Sequence, residues 1–430
     1  MNSHEVFIPF AAPRLPEIPQ RDFIITDYGA LSDGVTSNST AFSSAIEAAV
    51  AAGGGRVVVP TGTWLTGPIH LRSRIDLHLE EGAEVLFSKL PEDYLPVVYS
   101  QRGGSWCYNY SPLLYARDCC DVAVSGSGVL NGQGEDWWPW KKRQPMMVDL
   151  QKANNARVPV EQRRYGTREA GIRPPMLQFI DTQRVLIEGV TLCNSPSWTV
   201  HPVCCQELTI RGVKVLNPDD AIAPNTDGIN PDSCRNVLIE DCFVDTGDDG
   251  ICLKAGRDAD GWALGVPCKN VHIRRCTVHR AHGGIVIGSE MSAGVRNVLA
   301  EDCVFDDTDC GVRIKSRPGR GGVVECVQAE RITMRRIRQQ AVIITSHYGN
   351  ARLAIDYTNR HLPEIRTILL RQINCESAAE TVQLAGLQNC PLKDISILDS
   401  SITGEKEMTV SNVVGLNTAG LSIHCQRNTQ

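Results

Sequence analysis

The sequence predicts an all-β chain, wound as a single-stranded right-handed parallel β-helix with an N-terminal helix cap. Three observations predict it: a strand-length unit that recurs through the chain, glycine-rich turns between the copies, and one helix-like segment ahead of them. The unit Asn236-Val-Leu-Ile-Glu-Asp-Cys242 recurs as Asn270-Val-His-Ile-Arg-Arg-Cys276 and Asn297-Val-Leu-Ala-Glu-Asp-Cys303, with starts 34 and then 27 residues apart. Related units run from Arg184 to Val190 and from Glu207 to Val213, and a weaker one from Arg331 to Ile337. Each alternates apolar and polar residues, which is the period of a strand. A strand unit that recurs at intervals of this length marks a solenoid. A sandwich or propeller would expect strands joined by two-residue hairpins, whereas these units read as parallel copies.

Stacking makes the pattern testable. Cys242, Cys276 and Cys303 share one repeat position, so they should form an internal ladder with rungs about 4.8 Å apart. Ahead of the repeats, Phe23-Ile-Ile-Thr-Asp-Tyr-Gly-Ala30 precedes a helix expected over about 40–52, ended by Gly53-Gly54-Gly55 and followed by a strand at Arg56–Pro60. A solenoid needs its open end covered, and this helix is the cap. The expected layout is a single domain over 1–430: an extension over about 1–22, a capping segment over about 23–60, and coils with inserted loops over about 61–425.

Composition narrows the function. Across 430 residues, 42% are hydrophobic, 21% charged and 6% aromatic, the chemistry of an ordinary globular protein. A net charge of -6 argues against a nucleic-acid partner but permits an acidic ligand at a locally basic site. No apolar run approaches the ~18 residues that span a membrane. The first residues lack the basic and apolar regions of an export signal. Seventeen cysteines cannot all pair, and they read as small buried hydrophobes in a reducing compartment. The expected location is therefore the cytoplasm. Cys119-Cys120 and Cys204-Cys205 have no metal-ligand spacing, and no metal or other cofactor is expected.

The repeat then serves as a ruler. Twelve residues after Asn236 lies Asp248, and twelve after Asn270 lies His282, so the two should sit one rung apart. Eighteen residues after the three asparagines lie Lys254, Gly288 and Lys315. In Ile251–Lys254 and Val312–Lys315 the cations alternate with apolar residues, so Lys254, Arg313 and Lys315 face outward together. The adjacent Asp248 and Asp249 should repel and raise one pKa, which suits a general acid. Asp227, one unit earlier in Asn225-Thr226-Asp227-Gly228, can supply the base. Inverting glycoside hydrolysis needs such equipment, with the acid and base roughly 6.5–9.5 Å apart. Neighbouring cations suit a sugar that carries a carboxylate.

The set Asn225-Thr226-Asp227, Gly247-Asp248-Asp249, His282-Gly283 and Arg313-Ile314-Lys315 resembles the four motifs of polygalacturonases, glycoside hydrolase family 28. The resemblance runs from about residue 23 to at least residue 350. It implies the pectin-lyase-like form of the β-helix and hydrolysis of α-1,4-galacturonosidic bonds in a pectic substrate, with inversion. It also implies roles: Asp248 as general acid, Asp227 and Asp249 on the attacking water, and His282 tuning the acid. Arg313 and Lys315 would hold the substrate carboxylate, and Tyr348 would lie near the sugar at the scissile bond. The sequence departs from the family in two places. Ala281 replaces the first glycine of Gly-His-Gly, and Ala255–Val266 is extra length resembling that of bacterial exo-acting members.

Several groups keep a structural reading: Asp219-Asp220, Asp232, Asp258, Asp260 and His201. The segment 141–175 holds nine Lys/Arg against three Asp/Glu, and reads as a solvated loop or a basic rim that steers a polyanion. Trp137, Trp138 and Trp140 suit sugar stacking or loop packing equally. The closest alternative is a rhamnogalacturonan or substituted-pectin hydrolase. More distant rivals are a pectate-lyase-like enzyme, which would need a calcium site, and a non-catalytic glycan-binding β-helix.

Overall fold

The computed structural model describes residues 6–143, 145–349 and 360–425. Its architecture is the expected right-handed parallel β-helix, in which coil after coil pairs parallel with the next. In the long sheet, Arg235–Glu240 pairs with Cys268–Arg274, which pairs with Val295–Glu301, which pairs with Val323–Arg335. The apolar half of each unit fills one continuous core, with Val237, Val271, Val298 and Val327 stacked inside.

The repeat alignment holds. Cys242, Cys276 and Cys303 lie on consecutive rungs, with the middle thiol in contact with the other two. A second ladder, Cys205, Cys234 and Cys268, follows from the same register. The asparagines that open the units have their own role. Asn236, Asn270 and Asn297 each take φ +56°, the left-handed region that asparagine tolerates. Their amides then hydrogen-bond up the stack: Asn297 donates to Asn270 and Asn270 to Asn236, each at 2.9 Å.

The cap helix spans Ser39–Ala51 and buries Ala41, Phe42, Ala45, Ile46 and Ala49 over the first coil. It ends where Gly53 and Gly54 turn to positive φ; a Cβ on Gly54 would lie 2.7 Å from Arg74. The following strand is Gly55–Val59. From residue 6 onward the N-terminal extension is tied down. It lies back across the coils, where the N–H groups of Ile8, Arg14 and Glu17 donate to Asn297, Glu207 and Asp121.

A second sheet carries Asp249–Leu253, Gly283–Gly288 and Val312–Lys315 side by side. Its rungs continue N-terminally through Ile229 and Val200 to Leu177–Ile180. Inserted loops stand over this N-terminal part: a hairpin of Val98–Arg102 and Ser105–Asn109, a helix Pro145–Asn155, and a helix Asp258–Leu264 in the extra segment. They are welded together. Asp260 accepts from Arg163 at 2.7 Å and from the Trp106 N–H at 2.9 Å, while Asn154 bridges to Arg257 and Asp260. Buried Arg320 clamps Asp258 at 2.6 Å. Asp258 and Asp260 are thus structural, as the sequence suggested.

Candidate active site

The ruler's registers are realised. Asp249 pairs with Gly283, which places Asp248 beside His282 on adjacent rungs, and Lys254 and Lys315 flank Gly288. Asp227 occupies the rung before Asp249, since Ile229 bridges Ile251. Gly247 is required by packing: a Cβ there would lie 2.0 Å from the Asp220 nitrogen, so the Asp219-Asp220 turn presses against the backbone that presents Asp248.

Of the three aspartates, Asp248 is the one open to a ligand, with a side chain 15% exposed against 3% for Asp227 and 2% for Asp249. His282 Nδ1 lies 3.2 Å from Asp248, and its Nε2 lies 3.8 Å from Asp309. Asn225, at φ +59°, reaches Asp248 with its amide at 3.4 Å. Lys315 donates to both oxygens of Asp249, at 2.9 and 2.7 Å. Lys254 stands 3.5 Å from Asp227, 3.7 Å from Asp249 and 3.2 Å from Glu290. Arg313 lies 3.7 Å from Asp249, and it and Lys315 lie over the Tyr348 ring, at 5.7 and 5.1 Å from its centroid. All eight residues singled out in the sequence therefore converge on one face.

The electrostatics correct one expectation. The repulsion of Asp248 and Asp249 was expected to raise one of them, but both are lowered. Burial pushes Asp248 up, yet the hydrogen bond and charge of His282, with Lys315 behind, hold it well below the usual carboxylate range. Asp249 is likewise held down by Lys315 and Lys254 against its burial. The proton goes to Asp227 instead, raised to about 7 by burial and by the charge of Asp248, against the pull of Lys254. Burial lowers His282, but Asp248, Asp249 and Asp309 overcome it and lift the imidazolium to about 9. The sequence reading has His282 tuning the acid but counts Arg313 and Lys315 only as substrate ligands, which leaves out the effect of Lys315 on both acids.

Oxygens of Asp248 and Asp249, and of Asp227 and Asp249, lie within 4.8 Å of one another. These acids, with His282 and with Cys252, form two sets whose geometry suits a metal ion, although no metal site was expected from sequence. The Lys254 and Lys315 ammonium groups already supply positive charge to both sets.

Lys254 and Lys315 face outward from the coil but are covered, at 2% and 5% exposure; they are counter-ions of the acids rather than a solvated face. The sequence set omitted Lys254, Glu290 and Trp198. Lys254 was visible on the ruler; Glu290 and Trp198 had no motif. Arg173, part of the basic segment, is wholly buried and donates to Asn225 Oδ1 at 2.8 Å and to the carbonyls of Pro196 and Pro224. Arg163 is buried too, so the basic rim shrinks to exposed residues such as Lys141 and Lys142. Trp137 is fully buried against Tyr94, Tyr110 and Trp140, which is loop packing. His201 is buried beneath Trp198 and bonded to Gln178, a structural role as read.

Residues 161–422 match the model of glycosyl hydrolases family 28. The chain is 33% identical over 388 residues to a probable polygalacturonase of Vitis vinifera, covering 88% of this chain and 73% of that relative. It is 29% identical over 368 residues to an exo-poly-alpha-D-galacturonosidase of Dickeya chrysanthemi, covering 79% of this chain and 59% of that one. Among solved structures, a hyperthermoactive exopolygalacturonase from Thermotoga maritima superposes with a TM-score of 0.87 at 38% identity, covering 96% of this chain and 94% of that chain.

Proposed function

The chain belongs to glycosyl hydrolases family 28, and from that premise we propose that it hydrolyses α-1,4-galacturonosidic bonds of polygalacturonate or its oligomers from a chain end, with inversion. The observation that carries this is Asp248, the open aspartate, paired with His282 and backed by two buried aspartates with Arg313 alongside. Asp248 donates a proton to the leaving oxygen. Asp227 and Asp249 hold and activate water behind it. In the empty site the proton rests on Asp227; a bound galacturonate carboxylate near Arg313 adds negative charge beside Asp248 and draws the proton there. Asn225 steadies Asp248, and Tyr348 flanks the sugar beside Arg313 and Lys315.

Inversion is favoured over a covalent route because both oxygens of Asp249 are tied to Lys315. Such a carboxylate orients water better than it attacks carbon. End-on action is supported by the welded loops over the N-terminal rungs. A time course on trigalacturonate and polymer checks both points. We expect one small product from the first minutes, slow loss of viscosity, and fresh product of inverted anomeric form by NMR. Early viscosity loss with mixed oligomers would remove the end-acting reading, and retention would remove the inverting one. An unsaturated product would instead indicate a lyase.

The proposal extends to location. Seventeen free cysteines, six of them stacked in two ladders, support a reducing cytoplasm. Cell fractionation should find the protein with cytoplasmic markers; recovery outside the cytoplasm would refute it.

A further inference from the structure

Arg102 ends the strand Val98–Arg102, at the Gly103-Gly104 turn of the inserted hairpin. The residue is 6% exposed, and its guanidinium lies over the Trp198 ring, 5.5 Å from the centroid. Lys254 lies over the same ring at 4.8 Å. Trp198 is in register with Asp227, because Val200 bridges Ile229. Arg102 therefore borders the catalytic face, and its field reaches Asp227, Glu290 and Asp248.

What sets Arg102 apart is its lack of an anion. Other buried arginines nearby each hold at least one oxygen partner: Arg163 has Asp260, Arg320 has Asp258, and Arg173 has three oxygen acceptors. Among the described residues, none offers Arg102 an ion pair or a side-chain hydrogen bond. A guanidinium carries five donors in a planar fork, and burying it unpaired is costly. Such a group at the edge of a site for an acidic substrate is completed by a carboxylate of that substrate.

Position decides which carboxylate. Along the sheet, Trp198 lies two rungs N-terminal of Asp249, and Arg313 lies two rungs C-terminal of Cys252. Each offset is roughly 10 Å. The two arginines therefore flank the acids on opposite sides. Arg102 belongs to the loop wall, the side on which a chain end would stop. We infer that Arg102, braced on Trp198, binds the carboxylate of the terminal galacturonate, across the scissile bond from Arg313. Arg102 then selects an acidic chain end, with the buried Trp198 ring as its brace. This inference rests on the galacturonan reading of the site.

The test couples a mutation to a substrate change. Trigalacturonates bearing a methyl ester on one sugar at a time are compared with the free acid, using wild type, Arg102→Met and Arg102→Lys. For wild type, an ester at one terminal sugar should lower kcat/KM by about tenfold to a hundredfold, the worth of a charge-assisted hydrogen bond. Arg102→Met should show a similar loss on the free acid, mainly in KM, and indifference to that ester while remaining sensitive to the others. Arg102→Lys should restore part of the loss. Unchanged kinetics in Arg102→Met, or equal losses at every ester position, would overturn the assignment. Galacturonate binding by calorimetry, with galactose as control, gives a readout independent of turnover; equal galacturonate affinity in wild type and a folded Arg102→Met would likewise overturn it. If wild type fails to cleave free trigalacturonate at all, the substrate reading fails, a result distinct from either outcome for Arg102.

Discussion

Asp248→Asn is expected to lower kcat by about 10²–10⁴-fold, the usual worth of a positioned general acid, without unfolding the coil. The amide cannot protonate the leaving oxygen, yet it preserves the shape that Gly247 and the Asp219-Asp220 turn enforce. Near-wild-type turnover would remove Asp248 from the mechanism. The pH profile of wild type checks the same pair independently. The free site must hold one proton on Asp227 or Asp248, and that proton is bound with a pKa of about 7. Hence kcat/KM should fall as pH rises through about 7, when the pair empties. His282→Asn removes a positive charge that depresses Asp248, so the falling limb should move to higher pH even as the rate drops. A limb unmoved by that change would show that His282 does not tune the acid.

Lys254→Met should be nearly as damaging, for a different reason. The ammonium stands among Asp227 and Asp249, both buried, and the half-buried Glu290. Removing it leaves carboxylates that must either stay charged without a partner or take up protons. Breaking a buried pair in this way costs about 3–5 kcal/mol, and Asp227, the proposed base, loses its charge. We expect a loss of turnover of at least about tenfold to a hundredfold together with a lower thermal midpoint. The sign of the pH effect follows from linkage. Asp227 already binds its proton more tightly folded than unfolded, and losing Lys254 strengthens that preference. The destabilisation should therefore be relieved as pH falls from above about 7 towards the ordinary carboxylate range. A midpoint equal to wild type at neutral pH would show that Lys254 is not the counter-ion of these acids.

The sequence by itself determined the coil and its registry. Alternating apolar residues on a repeated unit leave one way to bury every copy, and that way is stacking. Once Asn236, Asn270 and Asn297 are aligned, counting along the chain places Asp248 beside His282 and Lys254 beside Gly288, because parallel rungs conserve position. The resemblance supplied chemical roles that spacing alone leaves open. What only the tertiary structure decided is where charge resides and what the loops cover. Lys254 alternates with apolar residues as a solvated lysine would; its burial comes from residues far along the chain. Arg102, Trp198 and Glu290 lie outside the repeated units, so no ruler reaches them. The proton sits on Asp227 rather than on the adjacent Asp248 or Asp249 because electrostatic energy depends on distance and solvent through space. His282, Lys315 and Lys254 approach those acids only when separate rungs are stacked, and a linear chain carries no record of those distances.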